Sequence, residues 1–384
     1  MKKGIVILIT FIIILIIPIN NTYCENAEET LKSQQSEFRI NDFIDSAQKY
    51  GGEFFEDINV SDLLNNAIKG EVNNSNIAKK YGICSGKEVK NNIKALGSIL
   101  VIILISAILK AIGDGLENDG IAKMVYYVQY ILIVTIIMAN FTEIIKLVQE
   151  TTNNLVAFMQ ILVPLLITLI TYTGSVTTST VLEPIILFLI NFVCNLIQTL
   201  VIPLVLVFTS LVIISKISAQ IQVDKLAKFL KSGIVWFLGI VLTIFVGVIS
   251  LEGTLSSSVD GITSKTTKAV VSSAVPVVGK ILGDAVDTVL GCGVILKNAV
   301  GVIGIIVIIG ICIAPIIKLT ILMMSYKLIA VVTQTIADSK ISSLLEEIGD
   351  VFKIFLGILF TVSFMLIIGT ALVVKMSNGV IMYR

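Results

Sequence analysis

The sequence predicts an all-α fold: a polytopic helical membrane protein with a small exported helical region at its N-terminus. Three observations predict it. Of 384 residues, 55% are hydrophobic and only 14% are charged, whereas soluble domains run near a quarter charged. The apolar residues come in runs that reach the roughly 20 residues a helix needs to cross about 30 Å of hydrocarbon. The chain also opens with an export signature.

That signature occupies residues 1–24. Lys2 and Lys3 precede an apolar run from Ile5 to Ile17, which Pro18, Asn20 and Asn21 break. The run is too short for a comfortable span and reads as a signal peptide, with Thr22 and Cys24 suiting cleavage before Glu25. Residues 25–94 are rich in charge and read as a small extracytoplasmic helical region. Tyr50-Gly51-Gly52 and Lys69-Gly70 look like turns, and Ser61 or Asp62 is placed to cap a helix start.

The multi-span domain covers 95–384, with spans expected at 95–112, 124–142, 155–172, 185–214, 233–251, 299–317 and 353–374. The segment 185–214 contains Pro203 and is too long for one straight crossing, which points to a tilted, kinked or broken helix. The stretch 318–336 is apolar but interrupted by Lys318, Lys327 and Gln334. With these spans the loop lysines and arginines divide almost equally between the two sides. The charge rule therefore asks for a span count shifted by one, around Pro203 or 318–336, or does not govern this chain.

Several function classes are excluded or unsupported. A net charge of +1 does not provide the basic surface that nucleic acid demands. The chain has no histidine, which removes the commonest general base and His-ligated metal sites. The five cysteines show no metal or redox spacing, and Cys194 and Cys312 sit in apolar runs as packing residues. Neither a phosphate-binding loop nor a hydrolase motif occurs. The sequence points to no enzyme and no cofactor.

Residues 252–298 are the most unusual part of the membrane half. A polar loop is expected through Ser256-Ser257-Ser258 and Asp260-Gly261. From Val277 the apolar residues recur at helical spacing, with Lys280, Asp284 and Asp287 on the opposite face. This predicts an amphipathic helix opened by Pro276 and closed by Gly291, with Gly279 and Gly283 as a step for close backbone approach. Such a helix either lies in the membrane interface or re-enters it to line a polar path. Gly279, Lys280, Gly283, Asp284 and Asp287 are the candidate conduit or assembly residues. Glu183 and Lys318, beside prolines at apparent membrane borders, read as edge charges or as part of a relay.

This stretch carries a family resemblance. Glu252-Gly253-Thr254-Leu255, Asp260-Gly261-Ile262-Thr263 and Val275-Pro276-Val277-Val278-Gly279-Lys280, with Asp284 to Cys292 and Leu296 to Gly301, resemble the stage III sporulation protein AE family. The order of parts agrees across nearly the whole chain. The resemblance implies a mother-cell membrane protein facing the forespore during engulfment. It also implies partners: other stage III sporulation membrane proteins of a channel or secretion-like complex, including a separate ATPase. A permease-like core subunit is the leading expectation, with a stand-alone secondary transporter and a membrane-anchored scaffold as alternatives. The family supplies no catalytic residues to carry over.

Overall fold

The computed structural model describes residues 40–52, 55, 59–70, 119–173, 175–217, 223–274, 278–336 and 339–376, with single positions between 82 and 112. Side chains of residues 253–289 lie outside the described set, as do the signal peptide and most of the span expected at 95–112. Every described element is helical: α1 (Ile40–Tyr50), α2 (Val60–Ile68), α3 (Asp119–Tyr172), α4 (Val176–Leu196), α5 (Ile202–Ile217), α6 (Asp224–Ala274), α7 (Val278–Ile336) and α8 (Ser339–Met376).

The two short helices belong to the charged N-terminal region. α1 buries Ile40, Phe43 and Ala47 on one face and exposes Asp42, Asp45 and Lys49 on the other. Its Phe43 ring meets Phe158 of α3 at 6.0 Å. α1 ends before Gly52, whose positive φ of 58° makes the expected turn. α2 is capped by Asn59, whose side-chain oxygen accepts from the Ser61 N–H at 2.9 Å, so the cap lies just ahead of the expected Ser61 or Asp62. α2 stops at Ile68 ahead of Gly70, φ 72°, and packs against α7.

The membrane half differs from the expected short spans. Among the described residues, five stretches are long and apolar enough to cross a membrane: Tyr126–Tyr172, Ser179–Ile217, Asp224–Glu252, Leu290–Thr335 and Ser339–Lys375. This is consistent with a polytopic membrane protein. The segments 124–142 and 155–172 are one helix, because the polar residues between them contain neither glycine nor proline and keep helical spacing. The stretch 318–336 likewise continues the helix that holds 299–317. Two further expectations are overturned nearby. The polar loop at 252–268 is part of α6, and Gly291 does not close a helix but lies within α7.

Pro203 is accommodated rather than breaking the chain. A proline cannot donate to the carbonyl four residues back, and its ring crowds that carbonyl. Here a π turn at Ile197–Val201 directly precedes it, and the Ile202 N–H reaches back to the Ile197 carbonyl. The widened turn lets α4 pass into α5 as one long element.

Contacts fix how the helices run. At one end Tyr126 Oη donates to the Lys216 carbonyl (3.0 Å), and the Lys340 ammonium stands 5.6 Å from the Tyr126 ring. At the other end Gly293 faces Tyr172 and Thr173, Gly301 packs on Val374, and Gly369 lies against Phe245 and Ile249. α7 therefore runs antiparallel to α3 and α8. Its Gly304 admits Leu162, which is fully buried. At 1.5 Å per residue, the 47 residues from Tyr126 to Tyr172 span about 70 Å. Hydrocarbon is about 30 Å thick, so the bundle extends well beyond it.

A side chain at Gly304 would place its Cβ 2.7 Å from Leu162, while Gly357 faces open space. Gly304→Val is expected to destabilise the detergent-solubilised protein by about 1–3 kcal/mol. Gly357→Ala should be neutral or stabilise it by up to about 1 kcal/mol. Thermal unfolding followed by intrinsic fluorescence measures both.

Candidate functional site: a polar stripe along α3

The backbone at Gly279, Lys280, Gly283, Asp284 and Asp287 is helical, in the first turns of α7. Their side chains lie outside the described residues. The polar chemistry the structure does describe falls elsewhere, in three groups.

The first gathers where α5 ends and α6 and α8 begin. Lys216 bridges Asp224 (3.2 Å) and Glu347 (2.9 Å), and Tyr130 Oη donates to the Ile213 carbonyl at 2.5 Å. Lys340 and Tyr126 complete this end of the bundle. It is a tie between helix termini in which the largely buried Lys216 ammonium is satisfied by two carboxylates.

The second is a three-helix clamp. Asp350 of α8 accepts from Lys231 of α6 (2.5 Å) and Lys327 of α7 (2.7 Å). Asp350 is 20% exposed, so solvent screens the pair only in part. Beside Lys327, Tyr326 is fully buried, its ring 5.0 Å from Phe352, and it accepts from Asn140 Nδ2 at 3.0 Å. This layer fastens α3, α6, α7 and α8 together.

The third is the candidate site. Along the middle of α3, Glu143, Lys146, Glu150, Asn153 and Gln160 recur at intervals of three, four and seven residues, so they share one face, and all are exposed. The opposite face carries Phe141, Ile144, Val148, Leu155, Phe158 and Leu162, all buried. α4 and the π turn border the stripe. Gln198 donates to Asn153 (2.7 Å) and Gln160 donates to Asn191 (3.3 Å). At its lower end Lys318 of α7 donates to Glu143 at 2.5 Å. The pair sits about 25 Å along α3 from Tyr126.

Depth decides what this stripe means. The Lys318–Glu143 pair and the Gly304–Leu162 contact set α3 residues 143–162 level with α7 residues 304–318. The Lys327–Asp350 and Gly301–Val374 contacts carry that level across to α8, and Gly369 with Phe245 and Ile249 carries it to α6. Residues 304–317, 354–374 and 232–251 contain no charged side chain. At the level where its neighbours are most apolar, α3 therefore presents charges and amides outward. Such groups are costly against lipid tails.

Sequence reasoning read 143–154 as a bridge between two spans, and so missed the stripe. The available signal was the heptad-like recurrence of its polar residues without a helix breaker. It also placed Lys297 in a loop. The structure buries Lys297 completely within α7. Cys194 and Cys312 are buried as expected, and Ser363 Oγ meets the Cys312 sulfur at 2.8 Å.

Removing the shared anion of the clamp leaves two lysines facing each other. Asp350→Ala is expected to cost about 1–3 kcal/mol in the thermal stability of the purified protein. Glu143→Lys should reduce the yield of monodisperse protein several-fold, and adding Lys318→Glu should restore it. Size-exclusion profiles of the single and double variants check this.

The comparisons with known proteins agree with one another. The family model of Stage III sporulation protein AE matches residues 58–377. The chain is similar to the Stage III sporulation protein AE of Bacillus subtilis (strain 168), 30% identical over 297 residues that cover 77% of this chain and 74% of that one. No solved structure shows a significant match.

Proposed function

This chain belongs to the Stage III sporulation protein AE family, and from that premise we propose that it is the membrane-embedded, permease-like core subunit of the complex linking mother cell and forespore. The observation that carries the proposal is the outward-facing stripe of α3. A stand-alone transporter keeps its polar path inside its own bundle. This chain places Glu143, Lys146, Glu150, Asn153 and Gln160 on its outer surface at the depth of its neighbours' most apolar segments. A surface of that kind is satisfied only inside an assembly, so it fits a subunit built to be surrounded by others. In this reading the other stage III membrane proteins and a separate ATPase supply the rest of the conduit and its energy.

The orientation follows from the helix ends. Lys123, Lys216, Lys225, Lys228, Lys231, Lys327 and Lys340 belong to the end that includes Tyr126. Lys265, Lys268, Lys280, Lys297 and Lys375 belong to the other. By the charge rule the first end is cytoplasmic, and α1, seated on Phe158 in the opposite half of α3, lies nearer the exported side.

The test is a clean in-frame deletion in the native host, complemented by the wild-type chain or by a triple variant, Glu150→Leu with Asn153→Leu and Gln160→Leu. The deletion is expected to complete engulfment but lose late forespore gene expression and heat-resistant spores. The triple variant should accumulate in the membrane yet restore at most a few per cent of the spores. Normal sporulation in the deletion, or full rescue by the triple variant, would overturn the proposal.

A further inference from the structure

We infer that the α3 stripe is a self-association surface, covered in the membrane by the same stripe of a second copy of this chain. The inference rests on the assembly-subunit reading and names the partner for that surface.

Three features favour a second copy. The first is charge. Glu143 is already satisfied by Lys318 of its own chain, and Lys146 and Glu150 are opposite charges one turn apart on the same face. The stripe is therefore neutral overall. Two copies related by an axis along the membrane normal meet residue against like residue, and a neutral face with alternating signs tolerates this. Each Lys146 then falls within a turn of Glu150 of the second copy.

The second feature is hydrogen-bonding capacity. The Gln198–Asn153 bond uses one donor of Gln198 and one acceptor of Asn153. An amide carries both a carbonyl and two N–H groups, so the pair keeps the Asn153 N–H groups and the Gln198 carbonyl for an outside partner. A donor and an acceptor held side by side form a self-complementary motif. Across a two-fold axis Asn153 of each copy can donate to Gln198 of the other, as isologous interfaces require.

The third feature is spacing. Lys146, Glu150, Asn153, Ala157 and Gln160 follow alternating steps of four and three, the seam of a parallel helix pair. Ala157, one turn beyond its central Asn153, has a side chain small enough for close backbone approach. Polar residues on such a seam fix its register, as a single asparagine does in coiled coils.

The test is disulfide trapping in native-host membranes, with Cys24 and Cys84 replaced by serine and single cysteines introduced as Asn153→Cys or Ala157→Cys. Val235→Cys and Ile244→Cys serve as controls, since both positions are exposed on α6 in its charge-free segment. Mild oxidation is expected to convert more than half of the stripe variants to a species of about twice the 41.5 kDa chain mass, and less than a tenth of the controls. Stripe cysteines that instead react with a hydrophilic thiol reagent without crosslinking would show a water-lined wall closed by something else, and overturn the inference. Crosslinking to a protein of different mass overturns it equally. Spore yield in the deletion strain separates the two claims: trapped dimers with normal sporulation sink the assembly reading but not the pairing, and lost sporulation without dimers does the reverse.

Discussion

Lipid tails offer no hydrogen bonds and about 30 Å of depth, and the fold answers to both limits. Every backbone group at that depth has to be satisfied within its own segment, which is why each described element is a helix. The helices are far longer than the depth requires. α3 and α7, at 54 and 59 residues, would reach about 80–90 Å if straight. Polar ties join the bundle outside its charge-free segments. Lys216 with Asp224 and Glu347 lies at one end of the bundle, and the Asp350 clamp follows one to two turns further in.

These ties and the apolar core have different roles. Packing of Leu162 into Gly304, of Phe355 against Phe141 and of Phe245 against Gly369 needs only shape, and shape alone tolerates sliding by a turn. An ion pair does not. Asp350 reaches Lys231 and Lys327 together at one relative position of three helices, and Lys318 reaches Glu143 at one position of two. Charged pairs in such surroundings are weak evidence for net stability, and their better-attested use is to fix register. That register in turn sets the α3 stripe level with the charge-free segments of its neighbours.

Much of this was legible in the sequence. Composition and apolar runs indicate a helical membrane protein, and the turns at Gly52 and Gly70 follow from local residues alone. The family resemblance was carried by residues 252–301, a region whose side chains are described only from Leu290 onward. What the sequence concealed was continuity. Polar residues 143–154 look like a connection when the only choice is apolar span or polar loop. Yet they are spaced as a helical face, and long-range partners such as Lys318 are 175 positions away. Gly291 misleads for a related reason: glycine ends a helix when the next turn lacks support, and here Leu296, Ala299 and Val300 are buried and draw the helix onward.

The same logic explains why Lys318 and Lys297 were hard to place. A lysine beside an apolar run is ordinarily a boundary marker, because its ammonium seeks water. Inside a bundle with a carboxylate at the same level, it becomes a strut instead. The local sequence around Lys318, an apolar run followed by proline, two isoleucines and the lysine, fits either role. Only the position of Glu143, set by the register of α3 against α7, distinguishes them. Charges within long apolar helices are therefore assigned by helix register rather than by hydropathy. For this chain the register sets a polar face of α3 level with the charge-free segments of α6, α7 and α8.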